Sequence, residues 1–137
     1  MSSSLHKTWL KVTAVVVASF APLLFLGTMP ATSAPAAFVL DLLSWPINGT
    51  AVLQSSDGRL LSAILGGVTL GWGVMIWILS GEAYDKAPEP IRKAVVVSFL
   101  AWFVFDGMGS VASGNALNAV FNLVILLLAV GPLWRKA

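Results

Sequence analysis

Charged residues divide the chain into long apolar blocks. Positions 12–40, 60–81, 94–105 and 107–134 carry no Asp, Glu, Lys or Arg. A hydrocarbon layer ~30 Å thick needs roughly 20 apolar residues at ~1.5 Å of rise each. Leu10–Thr28 and Leu60–Leu79 have that length. The stretch from Ala94 to Trp134 holds a single charge, Asp106, and is long enough for two crossings. Ser113-Gly114-Asn115 supplies the turn between them. The pattern predicts four transmembrane helices, about 10–28, 60–79, 91–112 and 116–133. The runs are continuously apolar instead of alternating, and backbone groups in lipid must pair within the segment, so helices are expected and not barrel strands. The expected fold class is an all-α integral membrane protein, a four-transmembrane-helix bundle forming one membrane domain over residues 1–137.

The connections carry their own signals. Ser33 is placed to cap a short helix through about Trp45, with Pro46 ending it. On that helix Phe38, Leu42 and Trp45 share one face while Asp41 and Ser44 lie elsewhere. This predicts a short interfacial helix lying on the outer membrane surface, with a lid or a docking surface as the functional alternative. Ile47-Asn48-Gly49-Thr50 reads as a turn that also matches an N-x-T glycosylation pattern, relevant only in a eukaryotic secretory route. Ser56 or Asp57 can cap the second span. Gly81 is placed to end it, and Pro88 and Pro90 to begin the third. Three acids and three bases between Glu82 and Lys93 suggest a solvated connector.

Basic residues set the orientation. Lys7, Lys11, Lys86, Arg92, Lys93, Arg135 and Lys136 fall on one side of a four-span topology and Arg59 alone on the other, seven against one. Both termini are expected in the cytoplasm. Trp9, Trp77 and Trp134 fall near the inner interface and Trp45 near the outer one, as an aromatic belt requires. The basic start, the apolar run and Ala34-Pro35-Ala36 also fit a cleavable signal peptide. The run is long for that role, so an uncleaved first helix is the expectation; the orientation is the same either way.

Composition narrows the function. Hydrophobic residues make up 58% and charged residues 10%, against about 25% charge in soluble domains. There is no cysteine and one histidine, His6. That removes thiolate metal sites, iron–sulfur clusters and Cys nucleophiles, and makes an intramembrane His-ligated pigment or a His-based triad improbable. No phosphate-binding loop, dinucleotide fingerprint, zinc-protease or nucleophile-elbow motif occurs. The net charge of +2 arises at the inner face and is no nucleic-acid footprint. No metal, cofactor or enzymatic activity is expected; the partners expected are the lipid bilayer and either a second copy or another membrane protein.

Two intramembrane patterns stand out. Ala63, Gly67 and Gly71 recur four apart, the small-residue spacing that lets helix backbones approach. The neighbour is expected within this chain's own bundle, with a homodimer or partner face as the alternative. Trp72 and Trp102 lie at mid-depth, where they can stack on each other, face a bound lipid or cofactor, or simply fill space. The second pattern surrounds Asp106. In an antiparallel hairpin centred on Gly114, Asp106 comes level with Asn122 and Ser110 with Asn118. Asn115, Asn118 and Asn122 share one helix face, giving a polar ladder that descends from the outer surface. A charge at bilayer depth costs at least ~2.5 kcal/mol and faces a bundle interior or a wet cavity. Asp106, Ser110, Asn118 and Asn122 therefore either glue two helices together or bind a proton, cation or polar ligand.

The strings Leu26-Gly27-Thr28-Met29-Pro30, Gly71-Trp72-Gly73-Val74-Met75-Ile76-Trp77 and Asn118-Ala119-Val120-Phe121-Asn122-Leu123 resemble those of small four-helix inner-membrane proteins of alphaproteobacteria. The resemblance implies a bacterial inner membrane and no mechanism. Small multidrug exporters share the size and helix count but use an acid in their first helix, and none stands here. The function expected is a non-enzymatic accessory, assembly or interaction subunit; the alternative is a small homodimeric transporter or proton- or cation-coupled protein using Asp106.

Overall fold

The computed structural model describes residues 3–49 and 51–136, all in helices and short connections with no strand among them. Helix α1 spans Ser3–Leu26, α2 Ala34–Ser44, α3 Ser56–Ile78, α4 Pro88–Ala112 and α5 Ala116–Val130. Short 3-10 turns occupy Pro30–Thr32, Ala51–Gln54 and Gly131–Trp134. Four helices are long and apolar enough to cross a membrane: Ser3–Leu26, Ser56–Lys86, Pro88–Ala112 and Ala116–Trp134. They fit a membrane bundle; the first begins seven residues before the expected 10–28, and the second runs seven residues past the expected 60–79. Residues 3–7, 80–93 and 131–136 gather at one end, called here the terminal end.

The bundle is two antiparallel helix pairs, α1 with α3 and α4 with α5. The first pair closes through small residues. Along α3, Ser62, Gly66, Gly73 and Ile76 are buried in a seam with steps of four, seven and three residues. Facing them on α1 are Leu10, Ala14, Val17 and Ala21, also buried. A Cβ added at Gly73 would sit 2.7 Å from the Ala14 carbonyl oxygen and 2.8 Å from the Ala18 nitrogen. Ser62 Oγ donates to the Leu24 carbonyl at 2.7 Å and fixes the register of the pair. This overturns the expectation that Ala63, Gly67 and Gly71 pack inside the bundle. They point outward, and a Cβ added at Gly67 or Gly71 would meet nothing within 4 Å. A one-residue offset turns an α-helix by about 100°, so Gly66 and Gly67 serve different faces.

The second pair turns at Gly114. Its φ of +80° is a left-handed conformation that favours glycine. The Asn115 N–H returns to the Ser110 carbonyl and the Gly114 N–H to the Val111 carbonyl, closing α4 with a Schellman motif. Between the pairs, Trp72 of α3 packs on Phe99 of α4 at 4.5 Å and on Trp102 at 6.0 Å between ring centroids. The two mid-depth tryptophans do meet, with Phe99 fully buried beside them.

Several local expectations are corrected. Ser55, not Ser56 or Asp57, caps α3: its backbone is extended and its Oγ accepts from the Gly58 N–H at 3.0 Å. Ser33 makes no cap, because its hydroxyl donates to the Pro30 carbonyl instead. Gly81 does not end the second long helix. The chain passes through a wide π turn at Leu79–Ala83, with Gly81 at φ −86° and ψ −134°, and resumes for one turn at Tyr84–Lys86. The connector is accordingly not a hydrated loop throughout, since Tyr84 is fully buried. Helix α2 packs against α1 and α5. Its Ala36 and Asp41 are buried while Phe38 and Trp45 are exposed. Asp41 is inward because its carboxylate accepts the Gly49 N–H at 2.8 Å and holds the return from α2. Thr50, the last residue of the expected turn, lies outside the described residues.

The two glycine faces of α3 should respond oppositely to one methyl group. Gly73→Ala should destabilise the fold by about 1–3 kcal/mol through overpacking against α1. Gly67→Ala should be neutral or stabilising by up to ~1 kcal/mol, the gain in helix propensity. Reversible unfolding of the detergent-solubilised chain, followed by circular dichroism, checks both; equal losses would contradict this packing.

Candidate functional site

The hairpin register brings the expected ladder together. Asp106 Oδ1 accepts three hydrogen bonds: from Ser110 Oγ at 3.1 Å, from Asn118 Nδ2 at 2.9 Å and from Asn122 Nδ2. Asn118 Nδ2 also donates to Ser110 Oγ at 2.8 Å. Ser110 is one turn from Asp106 on α4, and the two asparagines are one turn apart on α5, so the four side chains interlock across the pair. Asn122 is 5% exposed and Asp106 half-buried. Asn115 stays outside the cluster, donating to Ser113 at the turn. All three donors converge on one carboxylate oxygen, and none among the described residues reaches Oδ2. The arrangement can lock α4 to α5, and it leaves one oxygen with capacity for a proton or a cation.

A second polar site occupies the terminal end, and it centres on the one histidine. His6 is fully buried. Its Nε2 lies 3.1 Å from the Pro132 carbonyl oxygen and its Nδ1 2.7 Å from the Tyr84 hydroxyl. A carbonyl only accepts, so in the neutral ring Nε2 carries the hydrogen and Nδ1 accepts from Tyr84. Three other side chains meet the same end of α5. Trp9 Nε1 donates to the Leu128 carbonyl at 2.9 Å, Thr13 Oγ1 to Ala129 at 3.3 Å and Arg92 Nη1 to Leu133 at 2.7 Å. The cause is Pro132. In a continuing helix the Leu128 carbonyl would take the N–H of residue 132, and proline has none. Gly131, at φ +31°, turns the chain out of the helix, and a Cβ there would sit 2.7 Å from the Trp9 ring.

Ion pairs surround this site. Lys7 meets Asp85 at 2.7 Å, Lys86 meets Glu82 at 2.7 Å, and the Arg92 fork holds Glu89 at 3.0 Å. Lys11 lies over the Trp77 ring, 5.7 Å from its centroid. Trp9 is half-buried and packs its ring against Gly131 while its Nε1 donates to the Leu128 carbonyl. Sequence reasoning missed the site because its partners are 78 and 126 residues apart. The available signal was Gly131-Pro132 inside an otherwise apolar helix, which must strand carbonyls. Among the described residues no three His, Asp or Glu side chains come together as metal ligands.

Both clusters make measurable claims. Asp106→Asn should hold the fold within about 1 kcal/mol, because an amide oxygen accepts the same three bonds. Asp106→Ala strands two asparagine donors and should cost about 1–3 kcal/mol. Tyr84→Phe, which leaves the buried His6 Nδ1 without its donor, should cost a similar ~1–3 kcal/mol. Detergent unfolding midpoints check each; an alanine variant as stable as the parent would remove the Asp106 cluster from the fold's supports. No protein-family model, no curated protein and no solved structure matches this chain.

Proposed function

We propose that the chain is a multi-pass protein of a bacterial inner membrane with both termini cytoplasmic, working as a non-enzymatic accessory or assembly subunit. The observation that carries this reading is the outward face of α3. Ala63, Gly67 and Gly71 are exposed there, and the space before both glycines is open. Each glycine in a helix interior costs about 1 kcal/mol against alanine. On the α1 side Gly66 and Gly73 return that cost as close backbone contact; on the outer side only a further helix can return it. The partner that fits is a transmembrane helix of another subunit. The basic residues gathered at the terminal end support the orientation.

A second reading rests on the open oxygen of Asp106. In it the chain is a small homodimeric transporter or ion-coupled protein, and Oδ2 takes the proton or cation. It has less support, because among the described residues no second ionisable side chain joins the Asp106 cluster.

Purification of the full chain in mild detergent separates the two. The subunit reading expects a stoichiometric second membrane protein. Gly67→Leu should release it by about tenfold or more while helicity and melting stay unchanged. A homodimer whose ligand binding is lost in Asp106→Asn would replace it with the second reading. A monomer, or a partner indifferent to Gly67→Leu, would overturn the role of α3.

A further inference from the structure

We infer that the terminal end binds one anionic phospholipid, with an acyl chain in the cleft between α4 and the end of α5 and the phosphate on Arg135. The inference rests on membrane residence and not on the role of α3. The cleft has a volume of about 560 Å³, within the usual range for small-molecule sites. Leu100 of α4 forms one wall, and Leu126 and Val130 of α5, both otherwise buried, form the floor. Leu127 and Trp134 make an exposed rim. The floor is recessed below the exposed Leu127 and Trp134, and the cleft is half open along its length, as a groove for one chain requires.

Arg135 stands at the mouth of this slot. It is the one base that lines the cleft: Lys7, Lys86 and Arg92 pair with carboxylates and Lys11 with the Trp77 ring, while Lys93 and Lys136 line no part of it. No carboxylate among the described residues lies within ion-pair distance of Arg135. A helix C-terminus ordinarily presents carbonyls that repel an anion and attract a nearby cation. Here the carbonyls of Leu128, Ala129, Pro132 and Leu133 already accept from Trp9, Thr13, His6 and Arg92. The Arg135 guanidinium is therefore left for an outside acceptor, and its planar fork suits a phosphate. Trp134 beside it is the residue type that settles at headgroup level. Apolar slot, aromatic rim and unpaired guanidinium follow the order of a phospholipid from tail to head.

The test uses the purified full chain in maltoside detergent, offered equimolar phosphatidylglycerol and phosphatidylcholine and read by native mass spectrometry. One phosphatidylglycerol should survive activation that strips phosphatidylcholine. Arg135→Gln should lower its retention by about tenfold. Leu127→Trp, which narrows the slot at an exposed position, should lower it with Arg135 in place. Lys136→Gln, outside the slot, should leave it unchanged. Equal retention of the two lipids, parental retention in Arg135→Gln, or an equal loss in Lys136→Gln would overturn the site. Alkaline carbonate extraction of membranes is the separate control. A chain released by carbonate would overturn membrane residence and the site with it, whereas the lipid comparisons overturn the site alone.

Discussion

The structure depends on what happens to the carbonyl groups at the end of α5. A helix leaves its last carbonyls without intrahelical partners, and a buried carbonyl must find a donor. Pro132 adds to the deficit by removing an N–H inside the final turn. The donors come from far away in the chain: Trp9, Thr13 and His6 of α1, and Arg92 of α4. His6 in turn recruits Tyr84 from the turn that follows α3. One shortage of donors therefore ties α1, the 80–93 connector and α4 to the same short stretch of chain. The hydrophobic core collects beside this knot, around Leu10, Ile76, Phe99 and Leu133.

The two helix pairs are held by different physics. Helices α1 and α3 meet through Ala14, Gly66 and Gly73, where the gain is dispersion between closely approaching backbones. Helices α4 and α5 meet through Asp106, Ser110, Asn118 and Asn122, where the gain is directional and sets the register. The first kind tolerates apolar variation but not added volume. The second tolerates isosteric change but not the loss of an acceptor. The aromatic contact of Trp72 with Phe99 and Trp102 joins pairs built on these unlike principles.

What was legible in the sequence followed from local rules. The four long helices could be read because charge is excluded from runs of a fixed length. The Asp106 ladder could be read because a tight turn at Gly114 fixes depth on both sides of it. Two kinds of feature could not be read. The choice between Gly66/Gly73 and Gly67/Gly71 as the inner face of α3 needs knowledge of the neighbouring helix, since both faces offer small residues at suitable spacing. The His6–Tyr84–Pro132 cluster joins three distant segments, and no periodicity within any one of them announces the others. Gly81 misled for a related reason: a glycine marks where a helix can stop, but burial of Tyr84 carries the chain on past it.

The closure of the terminal end also bears on how the chain is made. Synthesis proceeds from the N-terminus, so α1 emerges first, carrying His6, Trp9 and Thr13. The carbonyls they serve belong to residues 128–132, which follow their donors by 116 to 126 residues. Until that stretch is made these three side chains lack their final acceptors. Ser62 can settle α1 against α3 early, through the Leu24 carbonyl, but the bonds of α1 are completed only when the end of α5 is present. The bundle therefore closes at a single place, where side chains of α1 are bonded to carbonyls made more than a hundred residues after them.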